Sequence, residues 1–576
     1  MREIRLVAQQ RYENPYTDVE VWADLEGPGF SQRVHGFWSG GQAFAIRVVA
    51  TGPGHWRWRT GASVDDPGLQ GLTGAFDAEP WTDPELQANP LRHGFLRPAP
   101  NGRALQHADG TPCFLLGDTW WSVGTWRYPW RDSDADHGLG PDMGFKEMVR
   151  LRRSQGFNAV AVIAALPAWA NDGHPATLLL EDGTPLRAAW PNLATGSALD
   201  MHSTDGHRPF RFPGRVPRFE DVFPDVDRIE PRYFDELDRK LDHLNANGFV
   251  VFLEPTRRDH SRAWKRYYDW PLSYARFVHY VWSRYGAHHV ILSPIHLDSL
   301  AHSITPQEFS EAIDLAIERW GLPPFGRLVS ANPHQSARQN FGDDCAWLSL
   351  NMAGNGERYH DSYQAFVTGD FESRPVRPCL NGEPQYAGWY ERRGGSVAGT
   401  PDDDLDCRSA AFGSVLSGGL AGHFYGAQGV WNAEIEGPGP VQMWEGMRFR
   451  SAAQMHHVRE FLLSAGDAYT RLAPHPEAVV PNRTGPAKGF RGWAFAACTE
   501  ERDLVLLYFE PGCPKSSVVA APESRYELRA YDPETGTWID WGASYLQSDV
   551  QGRLSLPAPP PDRDLAVLLR RVPEER

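Results

Sequence analysis

Thr111-Pro112-Cys113-Phe114-Leu115-Leu116-Gly117 is a continuous apolar run that ends in a polar tip, Asp118-Thr119-Trp120-Trp121. A strand with one face in water alternates, whereas an unbroken apolar strand is covered on both faces. Phe145 to Gln155 follows with helical periodicity (Phe145, Met148, Val149, Arg152) and stops at Gly156. Asn158-Ala159-Val160-Ala161-Val162-Ile163-Ala164-Ala165 is a second covered strand. Strand, helix and strand in that order form a βαβ unit, so the two strands are expected to be parallel.

The unit repeats downstream. Helical stretches are predicted at Tyr233 to Asn247, Tyr274 to Tyr285, Pro306 to Trp320, His360 to Asp370, Asp404 to Ser417 and, as one long helix, Met443 to Ser464. Thr305 and Glu308 form a capping box for the third of these. Between them lie strands at 249–253, 290–295, 327–331, 346–351, 378–382 and 421–426. Eight strands alternating with helices predict a (β/α)8 barrel, a TIM barrel. No G-x-G-x-x-G follows the first strand, which speaks against a dinucleotide-binding open sheet. Residues 166–230 are too long for an ordinary connection and read as an embellishment over the barrel mouth, carrying Trp169, Trp190, His202 and His207.

Both flanks read as β-sandwiches. Val19 to Leu25, Ala43 to Val49 and His55 to Thr60 alternate, with a Gly52-Pro53-Gly54 turn; residues 62–92 read as a linker or irregular edge. Downstream, 492–497, 503–509, 525–531 and 564–569 read as strands. The expected division is therefore an N-terminal sandwich at 1–95, a catalytic barrel at 96–474 and a C-terminal sandwich at 475–576.

A net charge of −16 argues against nucleic acid and anionic membrane surfaces, since both demand a basic patch. Nothing in the chain reads as a membrane span or a signal peptide, which leads to the expectation of a cytoplasmic protein. The six cysteines lack CxxC spacing and read as reduced thiols, with no metal or other cofactor expected. Of the 22 Trp, most are expected to be core and about a quarter to line a cleft. Homo-oligomerisation stays open.

A barrel of this kind carries its site at the strand C-termini. Those ends supply Asp118, Glu254, His296 with Asp298, His334, Asn351, Glu383, and His423 with Tyr425. Trp120, Trp121, Trp389 and Tyr390 lie close by in sequence. Glu383, between Gly382 and Pro384, cannot lie inside a helix. Paired carboxylates between aromatic walls suit glycoside hydrolysis, which needs one carboxyl protonated and one ionised. Structural roles compete: Asp118 as a brace of the mouth, Glu254 as an ion-pair partner of Arg257 and Arg258, and His334 and His423 as core histidines.

Residues 112–121 (PCFLLGDTWW), 378–386 (PCLNGEPQY), 420–431 (LAGHFYGAQGVW) and 531–538 (YDPETGTW) resemble the apiosidase-like family of glycoside hydrolases. The resemblance implies a (β/α)8 barrel behind a β-sandwich, and a retaining carboxylate pair on strands four and seven acting on plant or microbial glycans. Glu383 matches the nucleophile of strand seven. Asp118 matches a substrate-bonding Asp on strand one, His334 a strand-five histidine, and His423 with Tyr425 the strand-eight motif. Strand four departs from the family pattern: it ends Ser293-Pro294-Ile295-His296-Leu297-Asp298. The acid/base is therefore expected to be Asp298 or Glu254, with Trp120, Trp121, His296, Asn351 and Trp389 binding substrate. The expected function is retaining, exo-acting hydrolysis of an oligosaccharide or glycoside. The alternatives are a non-catalytic glycan-binding barrel whose acid/base position has degraded, and metal-dependent hydrolysis on the same barrel.

Overall fold

The structure, a computed structural model, describes residues 1–166, 177–188, 201–301, 303–354, 360–389, 396–436 and 439–573. Trp169, Trp190 and Tyr390, singled out above, lie outside the described residues.

The N-terminal residues form two packed antiparallel sheets. One holds Arg2–Val7, Ala43–Val48 and Phe37–Gly40, and the other Phe30–His35, Val21–Gly27, Gly54–Ala62 and Thr73–Ala78. Alternating residues of Val21–Gly27 are buried, as its sequence pattern demands. Trp56 fills the space between the sheets, and a methyl group on Gly27 would sit 2.3 Å from its ring. The stretch at 62–92, expected to be irregular, contains the edge strand Thr73–Ala78 and the helix Asp83–Ala88. Phe76 explains the strand: its ring stacks on Trp56 at 6.3 Å, so burial of one aromatic outweighs a Gly- and Asp-rich composition.

The barrel follows. Parallel strands run in the order Val290–Leu292, Val250–Glu254, Ala159–Ile163, Leu115–Thr119, Gly422–Tyr425, Cys379–Asn381, Asn351–Ala353, which is four-three-two-one-eight-seven-six in barrel numbering. The fifth position, expected as a strand at 327–331, closes the ring through single bridges, Leu292 to Val329 and His296 to Asn332. A side chain enters the ladder there. Val329 N–H donates to Ser349 Oγ at 2.8 Å, and Ser349 N–H returns to Val329 O at 3.0 Å. Helices Phe145–Ser154, Pro231–Ala246, Leu272–Tyr285, Pro306–Trp320, His360–Glu372 and Pro401–Leu416 surround the strands. The long closing helix expected from Met443 is two helices, Met443–Gly446 and Arg450–Leu463.

The C-terminal residues form a sheet in the order Ala473–Pro474, Ala494–Cys498, Leu504–Phe509, Leu565–Arg571, Arg525–Asp532, Thr537–Ile539, packed on a second, three-stranded sheet. This sandwich is locked to the barrel helix Pro401–Leu416. Arg408 forks onto Asp564 at 2.9 and 3.0 Å, the Phe412 and Tyr508 rings stack at 4.5 Å, and Ser409 Oγ donates to Glu510. The N-terminal sandwich is joined similarly: Arg47 reaches Asp238, which also accepts from Arg284 at 2.8 and 2.9 Å. The chain is thus a (β/α)8 barrel flanked by two β-sandwiches. No described helix is long and apolar enough to cross a membrane.

Burial at the C-terminal junction pushes the Glu510 carboxyl up to about 8, against the hydrogen bonds from Ser409 and the Trp493 N–H. A carboxyl raised on folding stabilises the protein fully below its unfolded value, and that stability is lost as pH rises through the folded value. The melting temperature is therefore expected to fall between roughly pH 4.5, the ordinary carboxyl value, and pH 8. Glu510→Gln is expected to make that slope shallower. Differential scanning calorimetry across the range checks this, and an unchanged slope would remove Glu510 as its source.

Candidate functional site

Strand parity decides which motif residues reach the barrel mouth. Successive side chains point to opposite faces. On the eighth strand Phe424 faces the lumen, where it meets Phe252 of the third strand at 6.4 Å and leaves room only for Gly117 on the first. Tyr425 therefore faces outward, and its hydroxyl pairs with Ser451 Oγ of the closing helix at 2.9 Å. His423 shares that parity and is buried, and burial pushes its imidazole down to about 3. It is a neutral histidine of the layer between sheet and helices.

Asp118 is outward too. Its carboxylate accepts from Arg152 Nε at 2.6 Å, from Trp120 Nε1 at 2.8 Å and from the Thr119 N–H at 2.9 Å. Asp118, Arg152 and Trp120 are each 0% exposed. Arg152 in turn lies over the Tyr425 ring at 5.7 Å. The two best-marked motifs, on strands one and eight, thus build one bolt between the sheet and its helices. Asp118, Trp120, His423 and Tyr425, expected to bind substrate, sit behind the strands because their parity turns them there. Asn351 is displaced for another reason. It begins the sixth strand instead of ending it, and its amide donates to Asp370 O and Ser373 Oγ at 3.3 Å.

The mouth itself is built from strands three, four, five and seven. Glu254 ends the third strand, fully buried, on the same face as lumenal Phe252. His296, four residues past the fourth strand, places Nδ1 2.5 Å from Glu254 Oε2. Its ring meets Trp121 edge-to-face at 4.6 Å. Among the described residues, the Oε1 oxygen of Glu254 has no hydrogen-bond partner. His296 Nε2 lies 3.8 Å from Asp298, which is clamped by Arg257 at 2.7 Å and Arg258 at 2.9 Å. Asp259 holds the other side of both guanidiniums, at 3.1 and 2.7 Å. Glu383 sits in the bend after the seventh strand, 5% exposed. Its charge acts on both Glu254 and Arg257. His334 is half-buried beyond the fifth position, its N–H donating to Asn340 Oδ1 at 2.9 Å, and Trp389 lies in the loop after Glu383.

Electrostatics separates the two acid candidates. Burial raises the Glu254 carboxyl to about 7; His296 opposes this and Glu383 adds to it. Burial also opposes the charge on Asp298, but Arg257 and Arg258 hold that carboxyl well below the usual range. Asp298 is thus fixed as an anion and has no proton to give at neutral pH. His296, against the cost of burial, is raised to about 10 by Glu254 and Asp298 and carries charge at neutral pH.

Asn332 was not anticipated as a site residue. It caps the fifth position, is 0% exposed, and neither its amide oxygen nor its amide nitrogen has a partner among the described residues. Its backbone N–H donates to Glu254. The only sequence signal was an amide before Pro333 at a strand end.

A (β/α)8 barrel with a raised and a second carboxyl at the C-terminal ends of its strands defines a class, the barrel glycosidases. Residues 99–467 match the family described as apiosidase-like, catalytic domain, and the chain belongs to that family. Residues 1–63 match a domain of unknown function, DUF5060. No curated protein matches the chain. Among solved structures, a protein of Bacteroides vulgatus ATCC 8482 provisionally named a glycoside hydrolase is 15% identical with a TM-score of 0.66, over 99% of this chain and 98% of that one. A glycoside hydrolase family 5 protein of the same organism is 16% identical with a TM-score of 0.57, over 84% and 94%. At such identities the likeness is one of fold.

Asp118→Asn is expected to leave Arg152 buried without its anion, which costs about 3–5 kcal/mol of stability. Chemical denaturation checks this. A substrate-binding Asp118 would instead raise KM at unchanged stability.

Proposed function

We infer that the chain hydrolyses a glycosidic bond of a plant or microbial oligosaccharide, with Glu383 as nucleophile and Glu254 as acid/base. The observation that carries this reading is the division of labour among the buried carboxyls. Among the described residues, Glu254 alone combines a raised pKa, an oxygen with no hydrogen-bond partner and a place within the field of Glu383. A general acid serves best with a pKa near the working pH.

In the first step Glu383 attacks the anomeric carbon while Glu254 gives its proton to the departing oxygen. A glycosyl-enzyme ester forms and the alcohol leaves. Glu254, now ionised, takes a proton from water, which attacks the same carbon and frees Glu383. His296 holds Glu254 Oε2 at 2.5 Å, so the unpartnered Oε1 is the oxygen that faces the leaving group. A retaining pair stands about 5–5.5 Å apart, close enough for each carboxyl to act on the other's charge. The depth of both carboxyls, each at or below 5% exposed, suits a chain end better than a threaded chain, hence exo action. The alternative of a non-catalytic glycan-binding barrel loses its motive, because the acid missing from strand four has a counterpart on strand three.

Glu383→Gln and Glu254→Gln are expected to lower kcat on aryl glycosides by roughly a thousandfold or more, within the range of removing one covalent or acid–base group. Glu254→Gln is expected to spare kcat/KM for aryl glycosides with activated leaving groups, whose departure needs no proton, while kcat still falls because the water step lacks its base. Undiminished turnover in either variant would end its assignment, and NMR of the first-formed anomer decides retention.

Activity should fall as pH rises through about 7, where Glu254 loses its proton. His296 lowers the Glu254 pKa, so His296→Gln is expected to move this alkaline limb to higher pH. A kcat/KM profile in which the limb stays in place would show that His296 does not act on the acid.

A further inference from the structure

Away from the carboxyls, the loops that follow strands one, two and eight enclose a pocket of about 300 Å3. Trp126, His202, Ile435, Met443 and Trp444 wall it, with Arg127 beside them. The volume is at the small end of ligand pockets, which run from roughly 300 to 1,000 Å3. The Trp126 and His202 rings are parallel, 5.8 Å apart and 10° from coplanar, and the Trp126 N–H is held by His202 O at 2.8 Å. Trp126 and Trp444 are half-exposed, so each keeps ring surface for an occupant. Arg127 lies 3.7 Å from Glu436, and this compensation of charge suits a neutral occupant.

The pocket is joined to the carboxyl site by continuous structure. Trp389, six residues past Glu383, meets Trp431 of the eighth loop at 5.7 Å. Gln428 N–H donates to Ala387 O at 2.8 Å, which fastens the eighth loop to the seventh. Further on, Ala433 O accepts from Arg127 at 3.3 Å, and Val430 O accepts from Tyr128 at 2.8 Å. Along this path polar atoms are buried with no partner among the described residues: both amide atoms of Gln428, Trp431 Nε1 and Asn432 Oδ1. The three residues are 1%, 7% and 0% exposed. Each orphaned group costs about 1–3 kcal/mol unless something hydrogen-bonds to it. A ligand carrying many hydroxyls, each both donor and acceptor, satisfies amide and indole groups together.

We propose that the Trp126–Trp444 pocket is a remote subsite for a neutral sugar unit of the substrate, reached along the Gln428–Trp431–Asn432 path. This rests on the reading that the chain acts on oligosaccharides. An exo-acting enzyme holds a single ring on the side of its nucleophile, so the remote unit lies on the leaving-group side. The substrate class is accordingly a neutral oligosaccharide of three or more units. Short glycosides use only part of the binding surface.

The test compares the full-length wild type with Trp444→Ala and Trp444→Phe on manno-, xylo- and cello-oligosaccharides of two to five units and on the matching aryl monoglycosides. The quantity read is the ratio of kcat/KM for the three-unit chain to that for the aryl glycoside. It is expected to fall about tenfold or more in Trp444→Ala, equivalent to about 1.4 kcal/mol, and to recover in large part in Trp444→Phe. Equal losses on both substrates, or none, would overturn the subsite. Calorimetry of the same oligosaccharides with Glu383→Gln and with Glu383→Gln/Trp444→Ala decides the pocket independently of turnover. Three-unit binding weakened tenfold by the second substitution supports the subsite even if the wild type hydrolyses nothing, an outcome that would defeat the hydrolase reading alone. Binding unaffected by Trp444→Ala, or absent, would overturn it.

Discussion

Charge compensation in a nearly dry barrel mouth is the constraint on which the site depends. Glu254, Asp259, Asp298 and Glu383 are each at most 5% exposed. Several ionised carboxylates cannot share such a volume without cations, because removing each ion from water costs several kcal/mol. Arg257 and Arg258 are spent on Asp259 and Asp298, and His296 spans Asp298 and Glu254. What is left uncompensated is concentrated on Glu254, and a raised pKa is the result. Burial is the main cause of that shift, and with both arginines engaged on Asp259 and Asp298 it is chiefly His296 that opposes it.

The same economy holds the three parts of the chain together. Asp238 is shared by Arg47 of the N-terminal sandwich and Arg284 of the barrel. Asp564 of the C-terminal sandwich is forked by Arg408 of the barrel. Both junctions bury guanidinium–carboxylate pairs whose planar geometry fixes orientation as well as distance. The helix Pro401–Leu416 links the two ends of this scheme. It carries Arg408 against the C-terminal sandwich and Asp403, which accepts from the Gly388 N–H in the loop beyond Glu383 at 2.9 Å.

Much of this was legible in the residues. The covered apolar strands and the periodic helices between them identify the barrel, and the alternation at Val21 and Ala43 identifies the first sandwich, since period 2 and period 3.6 are imposed by backbone geometry itself. Helix ends marked by chemistry were legible as well: Thr305 accepts from Glu308 N–H at 3.2 Å while Glu308 returns to Thr305 N–H at 2.6 Å. The site was less so. Glu254, Glu383, His296 and Trp121 meet at the mouth, but Asp118, Trp120, His423 and Tyr425 carry equally suggestive residue types and face the helices. Asn351 was misplaced by a strand that starts where it was expected to end.

The order of elements, the barrel class and the strand ends that carry carboxyls can be read from the residues, because these follow from local periodicity and chain connectivity. Tertiary packing set which carboxyl is raised and which is held as an anion. That choice depends on which arginines and histidine surround each group, and Asp298 and Glu254 look alike until Arg257 and Arg258 close on one of them. It also decided which polar ends are left without partners, as at Asn332 and Gln428, since a missing hydrogen bond is a property of the packed neighbours and of no residue alone.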